Sequence, residues 1–326
     1  MRYLLGKIAL FVVTLWAAVT INFLLPRMMP GSPADAAIAK LSQNGPVTPA
    51  MRAAVEAQLG VPHGSLIAQY GQYLGQIVRL DFGTSYSYFP QKVSALVSGA
   101  LPWTLVLVGT VTVIAFIVGT ALGALAAWKR GSWVDTFATA GSQFASAFPY
   151  FWTALLLLFF LGYVAGWFPT SGAYGDSSTP NLSMGFIGEA IAHAGLPALT
   201  ILITSLGGWI IGMRNTMVNT LGEDYVTFAE ANGLHPRTVA LRYAARNAIL
   251  PNLTSFGLVL GGVVGGSLLV ETVFQYPGVG LLLFHAVTNQ DYPLMQALFL
   301  MITVSVLIAN FIVDVLYGVL DPRTRR

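Results

Sequence analysis

Residues 93–128 read VSALVSGALPWTLVLVGTVTVIAFIVGTALGALAAW, a run bounded by Lys92 and Lys129 and free of charged side chains. A helix crosses the hydrocarbon core of a bilayer with about 20 such residues, so this stretch is a membrane span with length to spare. Its apolar residues are continuous and lack the alternation of barrel strands. Because backbone polar groups in lipid must pair internally, the run reads as helix. The surplus length predicts ends that re-enter or lie in the interface, with Trp103 and Trp128 as belt residues.

Working outward, five more runs have this character: Ile8 to Pro26, Thr136 to Tyr174, Ala190 to Met213, Asn247 to Val270 and Tyr292 to Val313. Trp133 and Trp167 are further belt candidates. The composition agrees, since 55% of the 326 residues are hydrophobic and only 9% charged, against roughly a quarter charged in soluble domains. The expected fold is an all-α integral membrane protein with six transmembrane helices. A net charge of +3 reflects basic residues beside apolar spans and points to sidedness, not nucleic acid. With no cysteine, disulfides, thiolate metal sites and cysteine nucleophiles are excluded.

Six crossings put both termini on one side. Arg2, Lys7, Lys129, Arg130, Arg214, Arg237, Arg242, Arg246, Arg323, Arg325 and Arg326 fall on that side, while Arg27, Lys40, Arg52, Arg79 and Lys92 lie in one long loop where charge has little force. Both termini are expected to be cytoplasmic. The first span is too long for the apolar core of a signal peptide and is read as retained.

The long loop is punctuated by Pro30-Gly31-Ser32-Pro33, Gly45-Pro46, Thr48-Pro49 and Gly60-Val61-Pro62, all turn signals. Between them Pro49 to Leu59, capped by Thr48, and Ser65 to Val78 are expected to form short helices of an extracytoplasmic element. A second external loop is expected over Ser171 to Asn181. Few ionisable groups lie deep in a span. Glu189 and His193 sit at the external start of the fourth, Glu271 at the external end of the fifth, Asp291 just before the sixth and Asp314 near its far end. Helix-end roles are the expectation for these, with a transport-path role for Glu271 or His193 as the alternative; His285 is expected external and solvated. Gly257, Gly261, Gly262, Gly265 and Gly266 form small-xxx-small pairs in the fifth span, suited to close helix packing or to a pathway wall whose width changes. No phosphate loop, H-E-x-x-H or G-x-S-x-G occurs, which excludes intrinsic ATPase chemistry.

Charge is concentrated in residues 220–246, where Glu223, Asp224, Glu230, Arg237, Arg242 and Arg246 share one loop. Asn219 or Thr220 can cap a helix with Glu223 and Asp224 in its first turn. Leu221, Tyr225 and Phe228 then share a face, with Ala229 beside them. Gly233 ends the helix and Pro236 opens the next, so a docking element is expected.

The run Asp224-Tyr225-Val226, Ala229-Glu230-Ala231-Asn232-Gly233-Leu234, Pro236-Arg237 and Leu241 to Pro251 resembles the EAA loop of binding-protein-dependent ABC importer permeases. Pro30-Gly31-Ser32-Pro33, Leu80 to Ser85, Glu271-Thr272-Val273-Phe274 with Pro277-Gly278-Val279-Gly280, Asp291-Tyr292-Pro293 and Asp321-Pro322-Arg323 are similar to the dipeptide, oligopeptide and nickel branch. The early external loop places the likeness with its B-type subunit. The chain departs from the pattern at Thr227 and Phe228, where Glu and Ala are general, and at Glu230 and Asn232, often basic in this branch.

The resemblance implies a type I importer permease fold in the bacterial inner membrane. Residues 1–27 hold the N-terminus and first helix, 28–92 the extracytoplasmic loop, 93–318 the permease core and 319–326 a tail. It implies a coupling loop, Glu223 through Leu234 with Arg237, that fits a groove on an ATPase subunit. The implied partners are a second permease, two ATPase subunits holding ATP and Mg, and a solute-binding protein; this chain itself holds no cofactor and is not an enzyme. The solute expected is a di- or oligopeptide, with a nickel chelate or an oligosaccharide as the alternatives. The alternative is a proton- or ion-coupled carrier, which inverted repeats and midplane broken helices would favour.

Overall fold

The computed structural model describes residues 2–29, 48, 65–175 and 177–320, with no side chains for 2–5, 7 and 314–320. The expected helix from Pro49 to Leu59, the Pro30 to Pro33 turn, the Asp321-Pro322-Arg323 motif and the Asp314 side chain lie outside the described residues. Among the described residues the regular structure is helical, with one isolated bridge between Thr84 and Lys92.

The opening helix α1 spans Arg2–Met28. After the loop, α2 (Leu66–Arg79) matches the amphipathic segment expected there: Ser65 caps it through Ala68 N at 3.3 Å, and Leu80 closes it in the left-handed region at φ 53°. Helix α3 (Val93–Trp128) is continuous, so the ends expected to re-enter or lie flat are part of one helix. Its 36 residues reach about 54 Å at 1.5 Å each, well beyond a core of about 30 Å, so it tilts or protrudes. A π turn at Leu105–Gly109 follows Pro102, whose ring removes a ladder hydrogen bond.

The third span is not one straight helix. It breaks into α4 (Trp133–Ala147) and α5 (Tyr150–Val164), bent by 94°. Pro149 is the cause, since it disfavours helical backbone at Phe148 and brings no N–H of its own. Helix α6 (Met184–Leu221) overruns Ala190 to Met213 at both ends, starting from a Ser183 cap. A short α7 (Asp224–Ala231) follows. The fifth span begins at Pro236–Thr238, passes a π stretch at Val239–Ala245, and continues as α8 (Arg246–Gly262). It then tightens to a 3-10 turn at Val263–Gly265 and breaks at Gly266, φ 65°, before α9 (Leu268–Val273). Helix α10 (Val279–Thr288), too short to span, was not anticipated in the sequence. Helix α11 (Tyr292–Leu320) closes the chain.

Among the described residues five helices are long and apolar enough to cross a membrane, and the number is six when the bent α4–α5 pair is counted as one span. Between lipid-bathed helices apolar burial drives little association, so small residues that admit close backbones decide where helices meet. Gly119 and Gly123 of α3 lie against Trp209, Ile210 and Met213 of α6, and a Cβ at Gly119 would come within 2.5 Å of the Trp209 Cβ. Phe116 stacks on Phe256 at 4.3 Å and meets Trp209 edge-on at 5.3 Å, tying α3, α6 and α8 together. Trp133 and Trp167 are exposed, whereas Trp103 packs against Tyr174, Phe186 and Tyr276.

Candidate functional site

Helix α7 hangs at the end of the bundle where α3 and α6 finish and α8 begins. The joint above it is sealed by Ala127, Met213, Met217, Ala240, Ala244 and Ala248. The segment corrects the sequence reading in two respects. Leu221 belongs to α6, and the cap position of α7 is Glu223, not Asn219 or Thr220; the Thr220 hydroxyl donates to Thr216 O at 2.8 Å inside α6. The buried face of α7 is Val226 and Ala229, packed on Val239 and Leu221, not Tyr225 and Phe228.

The larger aromatics therefore point away from the chain's own core. Phe228 is 70% exposed, rimmed by the exposed Glu223, Asp224, Glu230 and Ala231. Tyr225 is steadied from behind: its hydroxyl donates to Tyr243 O at 3.4 Å and accepts from Asn247 Nδ2 at 2.9 Å. Gly233, at φ 74°, ends the helix. Its N–H reaches Glu230 O at 2.9 Å while Leu234 N–H reaches Ala229 O at 3.4 Å, the pairing of a Schellman stop. His235 Nδ1 then accepts from Arg237 N at 3.2 Å and Pro236 takes the first helical position. Leu234 and Arg237 are exposed. The result is a short stub carrying an exposed Phe on an acidic rim.

The glycines of the fifth span divide. A Cβ on Gly257 would run into Val313, one on Gly261 would overlap Ala309 and one on Gly265 would come within 3.2 Å of Ile302, so these three seat α8 and its extension against α11. Gly262 faces open space, and Gly266 turns toward Glu271.

At the opposite end two buried carboxylates fasten loops to helices. Glu271 is fully buried. Its Oε1 accepts from the Thr104 hydroxyl at 2.9 Å, and Oε2 from the backbone N–H of Gly280 at 2.6 Å and Leu281 at 3.2 Å. Thr104 Oγ1 in turn accepts from Val279 N at 2.8 Å. The first three N–H groups of α10, which no helical partner can satisfy, are thus all paired. Gly266, Gly278 and Gly280 crowd the carboxylate so closely that a Cβ on any of them would collide with it. Burial pushes the neighbouring Tyr276 hydroxyl up to about 12, with the Glu271 charge adding to the effect.

Asp291, also fully buried, accepts from the Ser85 hydroxyl, from Ser87 N at 2.9 Å and from Leu294 N at 3.3 Å. It caps α11 and pins residues 85–88 on it. Glu189 holds the second loop through Gly175 N at 2.8 Å and the Ser178 hydroxyl at 2.6 Å, and His193 Nδ1 lies 2.9 Å from Ser171 O. Four of the polar residues singled out in the sequence are therefore loop fasteners. His285 is half-buried on α10. Sequence reasoning missed Asp135, which meets Arg214 through both carboxylate oxygens, at 2.5 and 3.0 Å, joining α4 to α6. Its signal was a lone acid at the edge of an apolar run. A wide apolar groove of about 640 Å³ lies between α3 and α6, with Val106, Ile114, Phe186 and Ile191 among its walls.

Apolar helices joined by small residues, with loops fastened to them by carboxylates, define a multi-pass membrane protein. Residues 119–326 match the family described as binding-protein-dependent transport system inner membrane component, and the chain belongs to that family. A Brucella suis protein named, provisionally, a peptide permease is 34% identical over 100% of this chain and 99% of its own length. The oligopeptide transport system permease protein AppB of Bacillus subtilis is 32% identical over 98% of both chains. The di/tripeptide transport system permease protein DppB of Pseudomonas aeruginosa is 31% identical over 100% of this chain and 99% of its own.

Proposed function

We propose that this chain is one of two permease subunits of an ATP-driven peptide importer, with α7 as the element through which ATPase subunits move it. The observation that carries the reading is the Phe228 side chain. On α7 an aromatic stands in water while the smaller Val226 and Ala229 are buried, an arrangement that buries the large side chain only when a partner covers it. The Schellman stop at Gly233 and the Tyr225 brace make α7 a rigid lever attached to the base of α8.

In this reading the two ATPase subunits bind ATP and Mg and close around it, α7 is displaced with them, and the α3–α6 and α8–α11 crossings carry the motion to the far end. Peptide arrives there from an extracytoplasmic binding protein, and a homologous second permease supplies the other half of the pathway. Both termini and α7 face the cytoplasm, as the basic residues flanking α3, α6 and α8 support. A proton-coupled carrier would need exchangeable carboxylates, and Glu271 and Asp291 already accept hydrogen bonds on both oxygens.

The test is Phe228→Asp beside Gly233→Pro in the assembled importer. Phe228→Asp is expected to insert and to unfold at the wild-type temperature, yet to lose ATPase co-purification and peptide uptake. Retention of both activities would refute the coupling role. Cysteines at Ser65 and Thr238, in a chain with no other thiol, report the orientation through an impermeant reagent added from outside: Ser65 is expected to react and Thr238 only after permeabilisation.

A further inference from the structure

Helix α2 has three faces. Tyr70, Tyr73 and Ile77 pack toward Phe23 of α1, and Ile67 and Val78 are exposed. The third face, Gln69, Gln72 and Gln76, lines a cavity of about 300 Å³ shared with Arg27, residues 82–86 and the start of α11.

Two buried donors on this cavity are unsatisfied. Gln296 is 8% exposed and Tyr73 2%, yet among the described residues neither Gln296 Nε2 nor the Tyr73 hydroxyl has a hydrogen-bond partner. A buried donor left unpaired is destabilising, so two on one cavity call for an acceptor. Burial pushes the Tyr73 hydroxyl up to about 12, which keeps its proton in place. Arg27, half-buried, lies 3.7 Å over the Phe23 ring, gives Nε to Gln69 Oε1 at 3.1 Å and Nη1 to Phe23 O at 2.8 Å. No carboxylate among the described residues pairs with it, and none is among the described residues of the cavity wall. A cation with two neutral donors and no acid among the described residues of the wall suits an oxyanion.

The location selects which one. Arg27 ends the first span, and beside it Leu24, Leu25 and Met28 are exposed at the level where acyl chains meet headgroups. We infer that the cavity holds the phosphate of a phosphatidylglycerol-type lipid through Arg27, Tyr73 and Gln296, with its chains along the exposed Leu24, Leu25 and Met28. The glutamine wall suits the glycerol hydroxyls, whereas an ethanolamine ammonium finds no carboxylate among the described residues of the wall; Asp81 and Asp291 stand behind it, already accepting from Gly83 N and the Ser85 hydroxyl. The leaflet, outer, rests on the orientation proposed above; the binding itself does not.

The experiment is native mass spectrometry of the delipidated full chain, offered dioleoyl phosphatidylglycerol, dioleoyl phosphatidylethanolamine or soluble glycerol 3-phosphate. Wild type is expected to retain one phosphatidylglycerol under collisional activation. Gln296→Glu, nearly isosteric but negative, and Arg27→Gln are each expected to retain it roughly tenfold less, the equivalent of one charge-assisted contact. Trp16→Ala, on the exposed flank of α1, is expected to match wild type and so reports general annular lipid. If Arg27→Gln does not fold, Gln296→Glu decides alone. Equal retention by Gln296→Glu and wild type, equal retention of phosphatidylethanolamine, or capture of glycerol 3-phosphate without chains would each overturn the inference. A failure in detergent leaves the orientation untouched, which the cysteine pair tests separately.

Discussion

Replacing Glu271 tests whether the buried carboxylate fastens the fold or takes part in transport. Glu271→Ala removes the acceptor for three donors: the Thr104 hydroxyl and the N–H groups of Gly280 and Leu281. Each buried donor left unpaired costs about 1–3 kcal/mol. Thr104 can turn its proton elsewhere, but the two backbone groups are fixed at the start of α10, so the expected loss is about 2–6 kcal/mol. Against a total stability of about 5–15 kcal/mol that is enough to cut the yield of folded protein and lower its unfolding temperature sharply. Glu271→Gln keeps one oxygen for the backbone and loses the charge, for an expected loss of about 1–2 kcal/mol. The assays are unfolding in detergent and ATP-driven uptake per folded importer. If the carboxylate is structural, Glu271→Gln transports normally once the amount of folded protein is corrected for. A Glu271→Gln importer with the wild-type unfolding temperature and no uptake would refute the reasoning, and so would Glu271→Ala protein as stable as wild type.

The membrane architecture was legible because charge-free runs are long and lipid permits few alternatives to helix. Boundaries were less so. Pro149 lies inside an apolar run that continues on both sides, and hydropathy does not register a right-angle bend. Helix α10 escaped because the ten mostly apolar residues between Gly278 and Asn289 fall short of any span. In α7 the stop at Gly233 and the restart at Pro236 were readable, but the cap at Glu223 and the buried face were not: size favours Tyr225 and Phe228, and only the contact with Val239 on the next helix shows that Val226 and Ala229 face inward. Glu271 could be placed at a span end, yet its partner Thr104 is 167 positions away, and only the fold brings them together. The glycines at 266, 278 and 280 were the trace left in the sequence, since a side chain at any of them would displace the carboxylate. Gly119 and Gly123 have the spacing noticed at Gly257 and Gly261, and they carry the α3–α6 crossing.

Two further perturbations probe the helix crossings. Gly261→Leu forces a side chain into Ala309 and is expected to cost about 1–3 kcal/mol or more by overpacking, while Gly262→Ala, facing open space, is expected to hold or slightly raise the unfolding temperature; equal effects would contradict the α8–α11 seat. The Asp135–Arg214 pair calls for a double-mutant cycle. Arg214 presents Nε and Nη2 to the two oxygens of Asp135, and Gly131 N–H adds a third bond at 3.0 Å. Removing one partner of a fully buried pair costs about 3–5 kcal/mol; here the Arg214 side chain keeps 22% of its surface in contact with solvent, so about 1–3 kcal/mol is expected for Asp135→Asn. Arg214→Gln strands a carboxylate that is only 8% exposed and is expected to cost at least as much. With both changes, the two amides can bond each other and neither charge is stranded, so the double variant is expected to lose at least 1 kcal/mol less than the sum of the singles. Unfolding temperatures in one detergent measure all four corners. Strict additivity would mean that the pair does not join α4 to α6, and that the joint above α7 depends on the apolar packing of Ala127, Met213 and Ala244 alone.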